Sequence, residues 1–200
     1  MKKVFIILAL SIFSFANAQK GTVLVAGSIG FSSVKQTNSK YENFNFSPKV
    51  GYQFNDNWTV GGEMSIFKST NGYNYTTSSQ FSSTSQNGFS VGPFVRYSKS
   101  LSDTFAFYTD LGIGYSKSKE DHLTYNGLST YYSNTISNGN GFYANITPAL
   151  FINIKKGFGL NFNIGGLGYG TTNFNNNGGK NSHFIFNFGE TASIGISKNF

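Results

Sequence analysis

Four charged residues stand apart in segments of the sequence that are otherwise nearly uncharged. They are Lys49, Glu63, Arg96 and Asp110. The first two each lie seven residues from Asp56, and the last two each lie seven residues from Asp103. Residues equidistant from the centre of a hairpin turn face each other across the two strands. Because an unpaired buried charge costs several kcal/mol, this spacing predicts two ion pairs that share one buried layer.

Two histidines supply the other candidate chemistry. His183 follows Ser182, an arrangement that a serine hydrolase with a histidine base would need. His122 ends the run Glu120-Asp121-His122. Three adjacent residues on a strand point to alternating faces and cannot all ligate one ion. The sequence therefore predicts neither a metal site nor a cofactor, and hydrolysis remains the less favoured alternative.

The elements that would position these residues are strands. Apolar and polar residues alternate in eight segments, the pattern of a sheet with one apolar face. The predicted strands lie near residues 22–35, 44–54, 58–70, 88–99, 104–118, 141–154, 158–172 and 183–200. Tight turns alternate with long polar connections, which lie near 36–43, 71–87, 119–140 and 173–182. Short and long connections in alternation are typical of an up-and-down barrel that crosses a membrane.

Hydrophobicity predicts which face of this sheet is inside. Phe44, Phe46, Val50, Tyr52 and Phe54 share one face of the second strand, and the opposite face carries Lys49. A soluble barrel would need a charged outer face, yet only 12% of the residues are charged. An aromatic face turned to lipid and a polar, glycine-rich interior fit the composition better. We therefore expect an all-β, eight-stranded antiparallel transmembrane barrel.

Three prolines form a weak internal repeat. Pro48, Pro93 and Pro148 each lie in a strand that descends to a tight turn, and an aromatic residue beyond the turn follows each proline by 10, 12 and 10 residues, respectively. Proline cannot donate a ladder hydrogen bond. Each one is therefore predicted to mark a bulge or local bend of the barrel wall.

The first 18 residues resemble a secretory signal peptide. Lys2 and Lys3 precede an apolar run, and Ala16-Asn17-Ala18 provides a cleavage pattern of small residues. We expect residues 1–18 to be removed and residues 19–200 to form the barrel domain. Of the net charge of +7, the two lysines contribute two, and the remaining charge forms no basic cluster that would indicate nucleic-acid binding.

The strand SPKVGYQF and the alternating C-terminus Ile194-Gly-Ile196-Ser-Lys-Asn-Phe200 resemble the small outer-membrane β-barrel proteins of the OmpA/OmpX-like porin family. The resemblance covers residues 19–200 and implies the outer membrane of a Gram-negative cell. It also implies a C-terminal signal for the barrel-assembly machinery, matched here by Ala192, Ile194, Ile196 and Phe200. Lys198 departs from that pattern. The hydrolase members of the family carry a His-x-Ser-Asn-type signature that His183 lacks.

The long connections are predicted to be the recognition surface. Residues 69–87 contain no charge, and both this segment and residues 124–143 are rich in Ser, Asn, Gly and Tyr, the composition of adaptable binding loops. We expect a monomer with a plugged lumen and a structural or surface-interaction role, in contact with outer-membrane lipid, lipopolysaccharide and an unidentified surface ligand. A narrow pore is the first alternative, and a lipid-modifying hydrolase is the second. Parity places Glu190 on the lipid face, unless a bulge near Gly189 turns it inward.

Overall fold

The computed structural model describes residues 21–75, 80–126, 131–175 and 179–200. For a few residues of these ranges, among them Glu190 and Ala192, it describes the backbone alone. The predicted signal peptide, residues 1–18, lies outside the described residues. No helix in the described ranges is long and apolar enough to cross a membrane.

The described chain forms one closed antiparallel barrel, in which each strand pairs with its neighbours in sequence and the last strand pairs with the first. Its eight strands are β1 Val23–Lys35, β2 Ser39–Gln53, β3 Trp58–Tyr75, β4 Gln80–Ser100, β5 Phe105–Asn126, β6 Tyr131–Lys155, β7 Phe158–Phe174 and β8 Lys180–Asn199. The predicted fold class and strand number are thus confirmed. We call the end with the tight turns the lower end of the barrel.

Side-chain hydrogen bonds and unusual backbone angles form the tight turns. Asn55 accepts hydrogen bonds through Oδ1 from the backbone N–H groups of Asn57 and Trp58, both at 2.9 Å. Ser102 Oγ accepts from the N–H of Phe105 at 3.1 Å. In the third turn, Lys156 and Gly157 both have positive φ, and Gly157 adopts +74° at no steric cost. Short turns of this kind fix the register of the strands above them.

The middle strands extend much farther than the sequence predicts. Residues 71–87 and 119–140, expected to be loops, are largely strand: β3 and β4 remain paired up to Tyr75 and Gln80, and β5 and β6 up to Asn126 and Tyr131. Ser, Thr and Asn occupy both faces of these segments, so the sequence shows no alternation by which a strand is recognised. The four strands continue above the barrel as one curved sheet.

The two faces of the barrel follow the predicted parity. Aromatic and aliphatic residues of the lower strands point outward and are 38% exposed or more, for example Phe44, Val50 and Leu111. Above them, the outward positions change to lysine: Lys68 on β3 and Lys117 on β5. The apolar band is therefore bounded by charge at the height where a bilayer would end.

The prolines interrupt the ladder in two different ways. At Pro48 and Pro93 the ladder skips bonds without any change of register. At Pro148 the register with β7 itself shifts, between the Ile146 and Ala149 pairs, and the proline is buried. The expected bulge is thus present at Pro148, whereas the other two prolines cause gaps.

The barrel closes through a short seam. β1 pairs with β2 from Val23 to Lys35, but with β8 only from Leu24 to Gly27. Mutual backbone hydrogen bonds between Val23 and Phe200, at 3.2 and 3.0 Å, complete this closure. A second irregularity lies nearby, because the register of β7 and β8 shifts beyond Asn163, and Gly165 and Gly189 have positive φ.

Candidate functional site

The four isolated charges meet in one cluster in the lower lumen. Lys49 and Glu63 are register partners, as are Arg96 and Asp110. The Lys49 ammonium lies 2.7 Å from Glu63 Oε2, and Arg96 binds Asp110 in a bidentate pair, with Nε–Oδ1 and Nη2–Oδ2 distances of 2.6 and 2.9 Å. Lys49 also reaches across the lumen to Asp110 Oδ2 at 3.0 Å. Two cations and two carboxylates thus form one connected, neutral network, which we call the charge cluster.

Aromatic side chains enclose the charge cluster. Phe94 is 1% exposed, and its ring centre lies 5.2 Å from Lys49 Nζ. The Arg96 guanidinium stacks over the Tyr108 ring at 3.7 Å, within the range of cation–π attraction. Tyr143 donates a hydrogen bond from its hydroxyl to Glu63 Oε1 at 2.9 Å. Five strands, β2 to β6, therefore contribute side chains to this plug.

Sequence reasoning missed Phe94 and Tyr143 as parts of this site. Phe94 shares its parity with Gly92 and Arg96 on β4, so strict alternation would have placed it inward. A ring of this size does not fit the expectation of a polar lumen, but Gly51 and Gly61 leave room for it. A Cβ at Gly51 would lie 3.1 Å from the ring, and a Cβ at Gly61 would lie 2.8 Å from it. Small residues facing large ones fill the interior of a narrow barrel.

One glycine has a similar role beside the cluster itself. A Cβ on Gly112 would collide with the Glu63 carboxylate and with the Asn145 amide oxygen. Glycine at this position therefore allows Glu63 to extend from β3 toward the opposite wall. The inward glycines, which from the sequence indicated only a polar lumen, provide the space that the plug fills.

Above the cluster, the inner wall carries hydroxyl groups on consecutive strands. Serines form one row from β1 to β5: Ser28 pairs with Ser47, and Ser65 pairs with Ser90, which pairs with Ser116. Ser47 and Ser65 are hydrogen-bonded at 2.9 Å. The upper lumen is therefore polar but carries fewer charges than the plug below it.

The two histidines occupy separate places. His122 lies on the exposed part of β5, with Nδ1 2.9 Å from Thr84 Oγ1 and Nε2 3.2 Å from Thr124 Oγ1. His183 lines the upper lumen beside Gly170. In the described part of the chain, no three His, Asp or Glu side chains lie close enough together to hold a metal ion.

The four strands above the apolar band form a second candidate surface, which we call the projecting sheet: residues 69–75, 80–87, 118–126 and 131–140. Ladder pairs such as Asn71–Thr84 and Phe81–Tyr125 continue without a shift to its upper end. From Lys117 to Asn126, β5 extends roughly 30 Å at about 3.3 Å per residue. The sheet presents mostly uncharged polar and tyrosine side chains, with one partly exposed ion pair between Lys119 and Asp121.

The predicted assembly signal lies on the last strand. Ile194 and Ile196 point outward and are 60% and 55% exposed. Phe200 ends the chain, with the Lys198 ammonium 4.8 Å from its ring centre. The side chains of Ala192 and Glu190 are outside the described part. The backbone does carry a register shift in this region, where Gly189 has a φ of +72°.

Comparison with known proteins places this geometry in a family. No curated protein matches the chain. Among solved structures, the attachment invasion locus protein Ail of Yersinia pestis is similar. It matches in complex with the heparin analogue sucrose octasulfate (16% identity, TM-score 0.40, covering 91% of this chain and all of Ail) and without it (14%, 0.39, 92% and all). The family model for the outer membrane protein beta-barrel domain matches residues 5–191. The chain therefore belongs to the outer membrane protein beta-barrel domain family and is a barrel of the Gram-negative outer membrane.

Proposed function

We propose that this protein is a non-conducting barrel that carries a recognition surface outside the cell. The projecting sheet carries this proposal. It places four paired strands beyond the apolar band, where the barrel itself has no need of them to span the membrane. A continuous ladder holds these strands in fixed positions, which lowers the entropy cost of binding.

The side chains of the projecting sheet fit a protein or carbohydrate surface. Tyr73 and Tyr125 are 46% and 37% exposed and supply rigid contact area. Serine, threonine and asparagine around them supply hydrogen-bond donors and acceptors. Recognition through such a surface requires neither a nucleophile nor a metal, in agreement with the separate positions of His122 and His183.

Paired deletions test the recognition proposal. Removing residues 70–85 shortens β3 and β4 at the partners Thr70 and Ser85, and removing residues 120–137 shortens β5 and β6 at Glu120 and Ser137. The register below each cut is preserved. A matched control removes residues 173–180 from the β7–β8 hairpin. Intact cells with the two long deletions should lose adhesion to the protein- or carbohydrate-coated surface that wild-type cells bind. A heat-modifiable gel shift should show that the barrel still assembles.

Two results would contradict this proposal. Adhesion that survives both long deletions, or that is lost equally with the control deletion, would remove the projecting sheet as the recognition surface. Adhesion lost together with the gel shift would show unfolding instead, and point substitution of Tyr73 and Tyr125 by serine then provides the test in an assembled barrel.

The non-conducting lumen rests on the charge cluster. In an eight-stranded barrel, side chains fill the interior. Here Arg96 and Asp110 are 6% and 2% exposed, and ion pairs connect β2 to β5. Planar-bilayer recordings should therefore show no stable openings. Stable single-channel currents in the wild type would refute the plug and favour the narrow-pore alternative.

We also propose that Ala192, Ile194, Ile196 and Phe200 form the signal read by the barrel-assembly machinery. The outward direction of the two isoleucines supports it, because these side chains are free to contact another protein before the barrel is inserted. These residues lie on or directly after β8, the last strand in the sequence, which closes the barrel by pairing with β1.

A further inference from the structure

The upper part of the β1–β8 seam is a slit in the barrel wall. Above Gly27 on β1 and Ile196 on β8, the described strands form no ladder with each other. On β1 this leaves residues 28–35 paired on one side only, a length of roughly 26 Å at about 3.3 Å per residue. Alternate residues of this stretch present their N–H and C=O groups to the missing neighbour.

Such an edge is unstable in hydrocarbon. Each unsatisfied backbone group costs several kcal/mol in lipid, and open sheet edges do not occur within the apolar core of a membrane. The outward residues Ile29 and Phe31 belong to the apolar band and are 71% and 72% exposed. The slit thus begins within the bilayer and needs polar groups along its edges.

The lipid-facing and lumen-facing sides of the slit differ sharply in polarity. On β1, Ser28, Gly30 and Ser32 point into the lumen, and Ile29 and Phe31 point to lipid. On β8, the outward residues Phe184 and Phe186 are 69% and 65% exposed, and the inward neighbours are His183, Ile185 and Asn187. A molecule that crosses this slit would have an apolar part outside the barrel and a polar part inside it.

The charged residues beside the slit indicate the chemistry of the polar part of such a molecule. Lys35 ends β1, and Lys180 begins β8 several residues farther up that strand, so one lysine lies along each edge of the slit. Both are exposed, and among the described residues neither makes an ion pair. Two unpaired cations along the edges of the slit favour an anionic group.

The outer wall beside the slit offers space for an acyl chain. An apolar groove of about 550 Å³ crosses the lipid-facing side of β4 to β8. Along it, the small Ala144 lies between its larger register partners Ile113 and Tyr169, and Tyr169 in turn pairs with Phe184. The groove ends at Phe184, on the strand that forms one edge of the slit.

We propose that the slit between β1 and β8 is a lateral opening that admits the phosphate-bearing head group of an outer-leaflet lipid into the upper lumen. The acyl chains remain in the bilayer, one of them in the groove that ends at Phe184. The head group and lumenal water satisfy the backbone groups of the unpaired edges. This role is independent of the projecting sheet and adds a lipid-binding site to the barrel.

A lipid-anchored thiol reagent tests the opening, because the chain contains no cysteine. The full chain is reconstituted with a phospholipid that carries a maleimide on its head group. Ser32→Cys faces the lumen at the slit, and Ser69→Cys faces it on β3, in the same register row through Asn43. Ser33→Cys points outward and reports the rate at the membrane surface.

We expect Ser32→Cys to react nearly as fast as Ser33→Cys, and Ser69→Cys to react at least about tenfold more slowly, because a ladder closes the wall beside it. A water-soluble maleimide should label Ser32→Cys and Ser69→Cys alike. If Ser32→Cys is as slow as Ser69→Cys toward the anchored reagent, the slit does not admit lipid. Disulfide-linked dimers through Ser32→Cys would assign the slit to a second copy instead and overturn the proposal.

Charge variants test the phosphate. Lys35→Gln combined with Lys180→Gln should slow anchored labelling of Ser32→Cys, and Lys68→Gln, on β3 away from the slit, should not. Added lipid A or anionic phospholipid should compete, and an uncharged glycolipid should not; the stronger of the two anionic competitors identifies the source. Equal competition by the glycolipid would overturn the phosphate assignment. If Ser32→Cys fails to show the gel shift of a folded barrel, the same comparison can be made between Ser28→Cys at the slit and Ser65→Cys on β3, which lie in one row through Ser47.

Discussion

Replacing Asp110 by alanine should destabilise the barrel more than any other removal of a single charge. Its carboxylate is 2% exposed and accepts hydrogen bonds from Arg96 and Lys49. Without it, Arg96 remains at 6% exposure with no carboxylate partner in the described lumen. Breaking a buried ion pair from one side costs roughly 3–5 kcal/mol. That corresponds to about two to four orders of magnitude in the ratio of folded to unfolded protein.

The chain provides a matched control in the ion pair Lys119–Asp121, whose side chains are 43% and 33% exposed. Removing Asp121 should cost no more than about 1 kcal/mol, because solvent screens an exposed pair. Urea unfolding in lipid vesicles, followed by the fluorescence of Trp58, the single tryptophan, measures both changes. The gel shift verifies that each variant reaches the folded state first.

Equal costs for Asp110→Ala and Asp121→Ala would refute the reasoning, because they would mean that water reaches the charge cluster freely. A double variant, Arg96→Met with Asp110→Leu, refines the interpretation. Since replacing a complete buried ion pair by apolar residues is often neutral, the double variant should recover most of the loss. If it is as unstable as Asp110→Ala, the lost energy comes from packing around the site and not from an orphaned charge.

Three further predictions concern packing and assembly. Gly112→Leu should lower the free energy of unfolding in urea by about 1–3 kcal/mol, because the new side chain would occupy the space of Glu63. Gly62→Leu should leave it unchanged, because nothing lies within 4 Å of a Cβ at Gly62. Phe94→Ala should cost about 3–5 kcal/mol by the same measurement, and the outward Phe107→Ala, at 38% exposure, distinctly less; equal losses would contradict the lumenal packing. Phe200→Ala should lower the amount of assembled barrel in outer-membrane fractions, whereas Phe54→Ala, an equally aromatic outward residue, should not.

The register near the tight turns could be predicted from the sequence. Counting from Asp56 and Asp103 identifies the partners of Lys49 and Arg96 because a short turn leaves few registers open. The contact between Lys49 and Asp110 joins β2 and β5, which are not neighbours. It depends on the width of the lumen and on the lengths of the side chains that cross it. No local pattern in the sequence contains that information.

The upper strands and the seam escaped prediction for a different reason. In the projecting sheet both faces of the strands meet water, so serine and threonine occur on both faces. The alternation of apolar and polar residues by which a strand is recognised is therefore lost. The seam depends on the termini of the barrel. Ile29, Phe31, Phe184 and Phe186 alternate like any paired strand, and only the backbone shows that β1 and β8 part above Gly27.

The charge cluster and the slit lie on opposite sides of the barrel, and this separation explains how one wall stays open. Lys49, Glu63, Arg96 and Asp110 bind β2 to β5 together from inside, and the Tyr143 hydroxyl adds β6. The register shifts lie instead between β6, β7 and β8. Gly165 on β7 and Gly189 on β8, both with positive φ, accompany the shift nearer the slit. Strands β2 to β6 are therefore cross-linked without help from the seam. The slit lies outside this cross-linked part and leaves the plug intact, so the upper lumen can exchange molecules with the bilayer while the lower lumen remains sealed.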